Sequence, residues 1–265
     1  MFNHIRNKIY HIEVLPPKQD SEKLEKDLEL FSNKYTKIMG SSHCATITDN
    51  SMGSLSFQGT ELIEELDLPF PSEQVEIHLN TFHTKEELDL ILDTCKLKEI
   101  KYLLIITGDG SERLPRLQPS EVGATDVESV TSVELLQYIS NRYPNTFVLG
   151  AAFNPYEPEE HEFEKLERKI KAGAVYIVTQ PLIERNRIVD MLLERYPKIP
   201  VIVEAWMSKN LHLLSEAVGY AIPEKVEYDP IDNLKDLSRI YPDCGIYLTL
   251  LRFKTQYDLI QDAWV

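Results

Sequence analysis

The segment YHIEVLPPK, Tyr10 to Lys18, places one acid, Glu13, near the end of a strand-like run that stops at Pro16-Pro17. A carboxyl group there has two uses. It can face water at the mouth of the strand, or burial can keep it partly protonated near neutral pH, ready to hand a proton to a ligand. Polar side chains recur at the ends of the other apolar runs: Thr48 and Asp49, His78 and Asn80, Thr107 and Asp109, Asn154, Gln180, Glu204, and Thr249 with Arg252. Strand ends meet water, so solvation alone accounts for any one of them. Together they offer carboxyl, imidazole, amide, hydroxyl and guanidinium groups, a set suited to acid–base work on a small polar ligand.

Such a set acts together only if the elements carrying it converge. Eight β-branched or aromatic runs recur along the chain: KIYHIEV, HCATIT, VEIHLNT, KYLLIIT, TFVLGAAF, AVYIVTQ, IPVIVEA and GIYLTLL. Charged amphipathic segments of helical length lie between most of them, among them SEKLEKDLELFSNKY, TSVELLQYISNRY, EPEEHEFEKLERKIKAG and ERNRIVDMLLERY. TKEELDLILDTCKLKEI opens with Thr84 and carries Glu87 three residues on, the pattern of a capping box, and Gly173 stands where a C-terminal cap is expected. Strands joined by helical crossovers run parallel, and a parallel sheet needs both faces covered. Eight such units predict an α/β fold, a single (β/α)8 TIM barrel over residues 1–265 with no internal domain boundary. An open doubly wound sheet is the alternative, but no G-x-G-x-x-G follows the first run. In the barrel the functional site lies at the C-terminal ends of the strands, where the polar residues fall.

With 43 acids against 28 bases the net charge is −15, which opposes binding to a phosphate backbone and predicts no nucleic-acid partner. No apolar run reaches the roughly 20 residues of a membrane span, and the N-terminus lacks the apolar stretch of a signal peptide. The sequence reads as cytoplasmic, with no membrane partner. Cys44, Cys95 and Cys244 are widely separated, with no C-x-x-C, so buried free thiols are expected and no metal site.

The motifs IEVLPPK, HLNTF, TGDGS, GAAFNPYEP and KAGAVYIVTQ occur in an order and spacing that resemble the methylenetetrahydrofolate reductase catalytic domain, from about Ile12 to Arg252. The resemblance implies a flavin-binding barrel that reduces methylenetetrahydrofolate to methyltetrahydrofolate. A reduced pyridine nucleotide, NADH or NADPH, passes a hydride to FAD, and the folate ring opens to an iminium before it accepts that hydride. Ring opening needs a proton on the leaving nitrogen, and Glu13 matches the family's general acid. Asp109 matches the aspartate beside the flavin and folate rings. Thr48, His78, Gly108, Asp109, Ala152, Arg168 and Lys169 fall on FAD-contacting positions, with Arg168 and Lys169 toward the phosphates; Gln180 and Arg252 fall on folate-binding ones. Departures are visible too. Thr107 stands where Arg is usual, Glu157 where a histidine is expected, Phe153 in place of an aromatic hydroxyl, VEAWMSKN in place of Gly-Ile-x-Pro, and Leu251 where Asn is common. They leave open a diverged reductase without tightly bound FAD, or a non-catalytic barrel binding a folate or a protein partner. A homo-oligomer is also left open.

Overall fold

Eight parallel strands close into a barrel in the order in which they occur along the chain. They are β1 (Tyr10–Val14), β2 (Cys44–Ile47), β3 (Val75–Leu79), β4 (Tyr102–Ile105), β5 (Val148–Phe153), β6 (Tyr176–Thr179), β7 (Val201–Ala205) and β8 (Gly245–Leu248). The structure is a computed structural model and describes residues 9–41, 43–222 and 228–261. The expected (β/α)8 architecture is the one that forms, each predicted run supplying one strand.

Every strand is followed by helix. Leu24–Gly40, Gly59–Glu65, Lys85–Leu97, Ser132–Arg142, Glu159–Lys171 and Arg187–Arg195 follow β1 to β6 in turn. Leu211–Val218 and Pro230–Ile240 follow β7, and Phe253–Gln261 follows β8. Side chains set where these helices begin. The Thr84 hydroxyl accepts the Glu87 N–H at 3.2 Å while the Glu87 carboxylate accepts the Thr84 N–H at 2.9 Å, the expected capping box, worth about 1 kcal/mol. Asn186 and Asp229 cap the helices that follow them from one side, their side chains accepting the Ile188 and Ile231 N–H groups at 2.8 Å.

Alternation along each strand decides which residues reach the barrel's interior. A Cβ on Gly59 would lie 2.9 Å from Ile47 and 3.0 Å from Ile77, so those isoleucines face the helix layer. Thr46, Glu76 and His78 therefore face the lumen. Likewise the Tyr10 hydroxyl donates to the Ile260 carbonyl of the last helix at 3.2 Å, which turns His11 and Glu13 inward. The outer faces are apolar and sealed (Ile12, Ile47, Leu79, Leu103 and Ile105 have no more than a trace of exposure), while the inner faces of β1 and β3 carry the polar side chains His11, Glu13, Glu76 and His78.

By contact density the chain divides into two compact units: Met1–Glu13 with Ala152–Glu167 and Tyr176–Val265, and Val14–Ala151 with Arg168–Val175. The first carries most of β1 together with β6, β7 and β8; the second carries β2, β3 and β4 and the start of β5.

Candidate functional site

In the first unit, β8 pairs with β7 through Glu204↔Tyr247 and with β1 through His11↔Tyr247. Glu13 lies two residues beyond His11 and Thr249 two beyond Tyr247, so all share the inner face. The Tyr247 hydroxyl donates to Glu13 Oε2 at 2.9 Å, and the Thr249 hydroxyl donates to Glu204 Oε1 at 2.9 Å. Glu13 is half-buried and Tyr247 buried. Burial, and then the neighbouring charge of Glu13, push the Glu204 carboxyl well above the usual carboxylate range against the pull of the Thr249 hydrogen bond. Sequence analysis placed Glu13, Glu204 and Thr249 at the strand ends but not Tyr247, the group that holds Glu13.

Other rim positions of this unit differ in what their side chains are free to do. Gln180 is half-buried at the end of β6, with its backbone N–H bound to the Phe153 carbonyl at 2.9 Å and no such tie on its amide among the described contacts. Asn154 is taken up by structure: its amide donates to the Val218 carbonyl at 3.4 Å and its Oδ1 accepts the Tyr156 N–H at 3.1 Å. Ala152 is half-buried within β5. Phe153 is buried against Phe163 with ring centres 5.4 Å apart, and Glu157 pairs with Lys165 at 2.8 Å. Arg252 is exposed just before the last helix, its N–H bound to Gln256 at 2.8 Å.

The second unit brings together the ends of β2 and β3. Asp49 is the hub. Its carboxylate accepts the Asn80 N–H at 2.8 Å, binds His83 Nε2 at 2.7 Å and accepts the Gln58 amide at 3.3 Å, while its carbonyl accepts the Asn80 amide at 2.8 Å. His83 was not singled out from sequence, since nothing local links it to an aspartate 34 residues away. His78 lies 3.8 Å from Glu76. Burial pulls the His78 imidazole down to about 4 despite Asp49, so it is neutral at pH 7. The Thr48 hydroxyl is buried with no hydrogen-bond partner. Gly108 has φ +82°, and a Cβ there would lie 2.7 Å from Asn80, so only glycine lets this turn close on β3. Asp109, next along, is exposed.

Thr107 has become structural. Its hydroxyl accepts the Ser132 N–H at 3.1 Å, and its carbonyl accepts the Thr81 hydroxyl at 2.9 Å. Arg168 and Lys169 do not share a face, because successive helical residues point about 100° apart. Arg168 is largely exposed, 3.5 Å from Glu134, and lines a groove of about 380 Å³ with Gln137, Ser140, Lys171 and Gly173. Lys169 is buried. The three cysteines are free and buried, as expected, and burial pushes the Cys95 thiol up to about 12, far from reactivity.

The methylenetetrahydrofolate reductase family model matches residues 2–252. The chain belongs to this family. Among solved structures it is similar to an uncharacterized protein from Clostridium thermocellum described as binding two copies of 5-methyl-5,6,7,8-tetrahydrofolic acid. The two are 15% identical, the alignment covers 98% of this chain and 95% of the other, and the TM-score is 0.60, a likeness of fold. A search of curated proteins finds no match. Among the described residues, no helix is long and apolar enough to cross a membrane, and no group of three or more His, Cys, Asp or Glu side chains is placed to hold a metal ion.

Proposed function

We propose that this chain reduces methylenetetrahydrofolate to methyltetrahydrofolate, with a reduced pyridine nucleotide as electron donor and FAD as the group between them. Family membership supports the reaction class. The observation that carries the reading is Glu13, inward-facing at the C-terminal end of β1 and held by the Tyr247 hydroxyl at 2.9 Å. As general acid, Glu13 loses its O–H bond while an N–H bond forms on the leaving nitrogen of the folate ring. Tyr247 donates to the carboxylate left behind, stabilising it as charge develops. The Gln180 amide supplies a donor and an acceptor for a pterin edge, and the exposed Arg252 guanidinium suits a folate carboxylate.

The second unit fits a flavin in its donor set. The buried Thr48 hydroxyl lacks a partner, neutral His78 stands two residues before Asn80, and the Gly108 turn presents backbone next to the exposed Asp109. Bound FAD would supply hydride acceptance and donation. Asp109 would place a negative charge beside it, and Arg168, the more exposed of the two helical cations, would meet its phosphates.

A second reading, hydride transfer directly from nicotinamide without tightly held FAD, is favoured by one feature. The Thr107 hydroxyl at the position where the family usually has arginine is already bound to Ser132, leaving no cationic donor there. Turnover of methylenetetrahydrofolate with NADH or NADPH, combined with a visible absorption spectrum, tests both. Turnover with oxidised-flavin bands meets the first reading, and turnover by a colourless protein meets the second. No turnover with either nucleotide, with and without added FAD, overturns both. Under the first reading, Glu13→Gln lowers the rate of folate reduction by roughly 10²–10⁴-fold without slowing flavin reduction by the nucleotide.

A further inference from the structure

A cavity of about 360 Å³ lies within the second unit, walled by the helices Gly59–Glu65 and Lys85–Leu97. It uses none of the residues assigned above to folate or flavin, and its size falls in the range of small-ligand sites. We propose that it binds a linear aliphatic polyamine, a chain of methylenes carrying ammonium groups.

Two buried polar side chains line the cavity with hydrogen-bonding capacity left over. Thr60 is 4% exposed, and its hydroxyl has no partner among the described residues. His83 is 2% exposed; Asp49 holds its Nε2 at 2.7 Å, and its Nδ1 has no partner among the described residues. Because the Asp49 carboxylate accepts the Nε2 hydrogen, the neutral ring presents Nδ1 as an acceptor. A hydroxyl oxygen and an imidazole nitrogen in one cavity suit a ligand that brings N–H donors.

Charge then selects the sign of that ligand. Glu61, Glu64 and Glu65 line the cavity from the first helix, at the spacing of one helical face. Glu87, Leu90, Ile91 and Thr94 line it from the second, again on one face, over a rise of roughly 10 Å. None of the lining residues is Lys or Arg. Of the cations that border it, Lys98 is paired with Glu64 at 3.0 Å, Arg113 with Asp20 at 2.6 Å, and Arg116 lies 5.4 Å from the Phe82 ring centre. Glu61 and Glu87 each spend one oxygen on a backbone N–H, of Gln58 at 3.4 Å and Thr84 at 2.9 Å, which leaves the other to accept an ammonium. An acidic face opposite leucine and isoleucine matches a ligand whose charges are separated by methylenes. A single compact cation would leave either the far carboxylates or the apolar wall unused.

Calorimetric titration of the full chain with spermidine, at pH 8.5 and about 150 mM salt, reads the site without reference to turnover. The expected result is saturable binding of one equivalent, with n-butylamine at least about tenfold weaker because it carries one ammonium. Thr60→Val and Leu90→Lys, the latter at a position 68% exposed, each weaken spermidine by about tenfold or more. Glu25→Gln changes the net charge by the same amount as Leu90→Lys, but at an exposed position on another helix, and leaves the affinity as in wild type. Spermidine also shifts the His83 ring resonance, identified by its loss in His83→Gln. No saturable binding by wild type, an unmoved His83 resonance, or equal affinities for the two amines overturns the proposal. So does wild-type affinity in Leu90→Lys or in folded Thr60→Val. A loss in Glu25→Gln equal to that in Leu90→Lys also overturns it, marking general attraction to an acidic surface. If Thr60→Val does not fold, Leu90→Lys and the His83 resonance decide the matter.

Discussion

Asp49 shows how much one buried carboxylate can organise. It satisfies the Asn80 backbone N–H, the Gln58 amide and the His83 ring, and both members of the His83–Asp49 pair are almost wholly buried. Removing one side of such a pair strands the other, so Asp49→Ala should cost about 3–5 kcal/mol in urea unfolding, far more than replacing an exposed acid. The pair also makes stability depend on pH. Burial opposes the charge on His83, but the Asp49 charge and hydrogen bond, with Glu87, outweigh it and hold the imidazole above its ordinary 6.5. A group whose folded-state pKa is raised adds stability in full below its unfolded pKa, and the contribution fades as pH rises through the folded value. The melting-temperature difference between wild type and His83→Gln should therefore be larger at pH 5.5 than at pH 8.5. A difference that grows with pH would refute this. The sequence displayed Asp49 as a strand-end acid because the apolar run before it stops there. It hid His83, because a contact across 34 residues leaves no periodic trace. Tyr247 was hidden differently, since an aromatic residue within a strand reads first as packing.

At the scale of elements, the eight strands were legible because parallel strands covered on both sides become nearly continuous runs of β-branched and aromatic residues. The long helices were legible from their amphipathic period, and Lys85–Leu97 from its capping box as well. Gly59–Glu65 was not, being seven residues long and opening on glycine; its place is set by close packing on Ile47 and Ile77. Pro230–Ile240 carries its signal in an Asp229 cap followed by proline in the first turn. Gly173 is the element-level position where a single atom matters most. The helix Glu159–Lys171 ends there with φ +119°, the Gly173 N–H bonding to the Ile170 carbonyl at 3.0 Å and the Ala174 N–H to the Lys169 carbonyl at 3.0 Å. A Cβ at Gly173 would lie 2.1 Å from the Ser140 hydroxyl, which itself donates to the Ala172 carbonyl at 2.8 Å. Gly173→Ala should thus cost about 1–3 kcal/mol from the backbone alone, with the displaced serine adding to it. Placing the same change in a Ser140→Ala background should recover at least about 0.5 kcal/mol, because the collision is gone while the backbone strain stays. Urea midpoints of the four proteins test this; equal costs in both backgrounds would leave the steric part without support.

For the molecule as a whole, the net charge of −15 acts on every ligand in the proposed reaction, because dinucleotides and folates are themselves anions. Repulsion of this kind is long-range, and salt sets its reach. The Debye length shrinks from about 30 Å at 0.01 M to about 8 Å at 0.15 M. The exposed guanidinium groups proposed to receive anionic groups, Arg168 and Arg252, act over a few ångströms, and Arg168 is already shared with Glu134 at 3.5 Å. Raising salt should therefore weaken the repulsion of the whole surface more than it weakens these contacts. Association of NADH or NADPH should speed up several-fold between 10 mM and 150 mM salt, with KM falling over the same range, the reverse of a protein that steers anions by a basic surface. Stopped-flow association measured against ionic strength decides it. A rate that falls with salt would mean that local cations govern approach. In that case Arg252→Gln or Arg168→Gln should flatten the salt dependence, and whichever variant did so would mark where the anion enters.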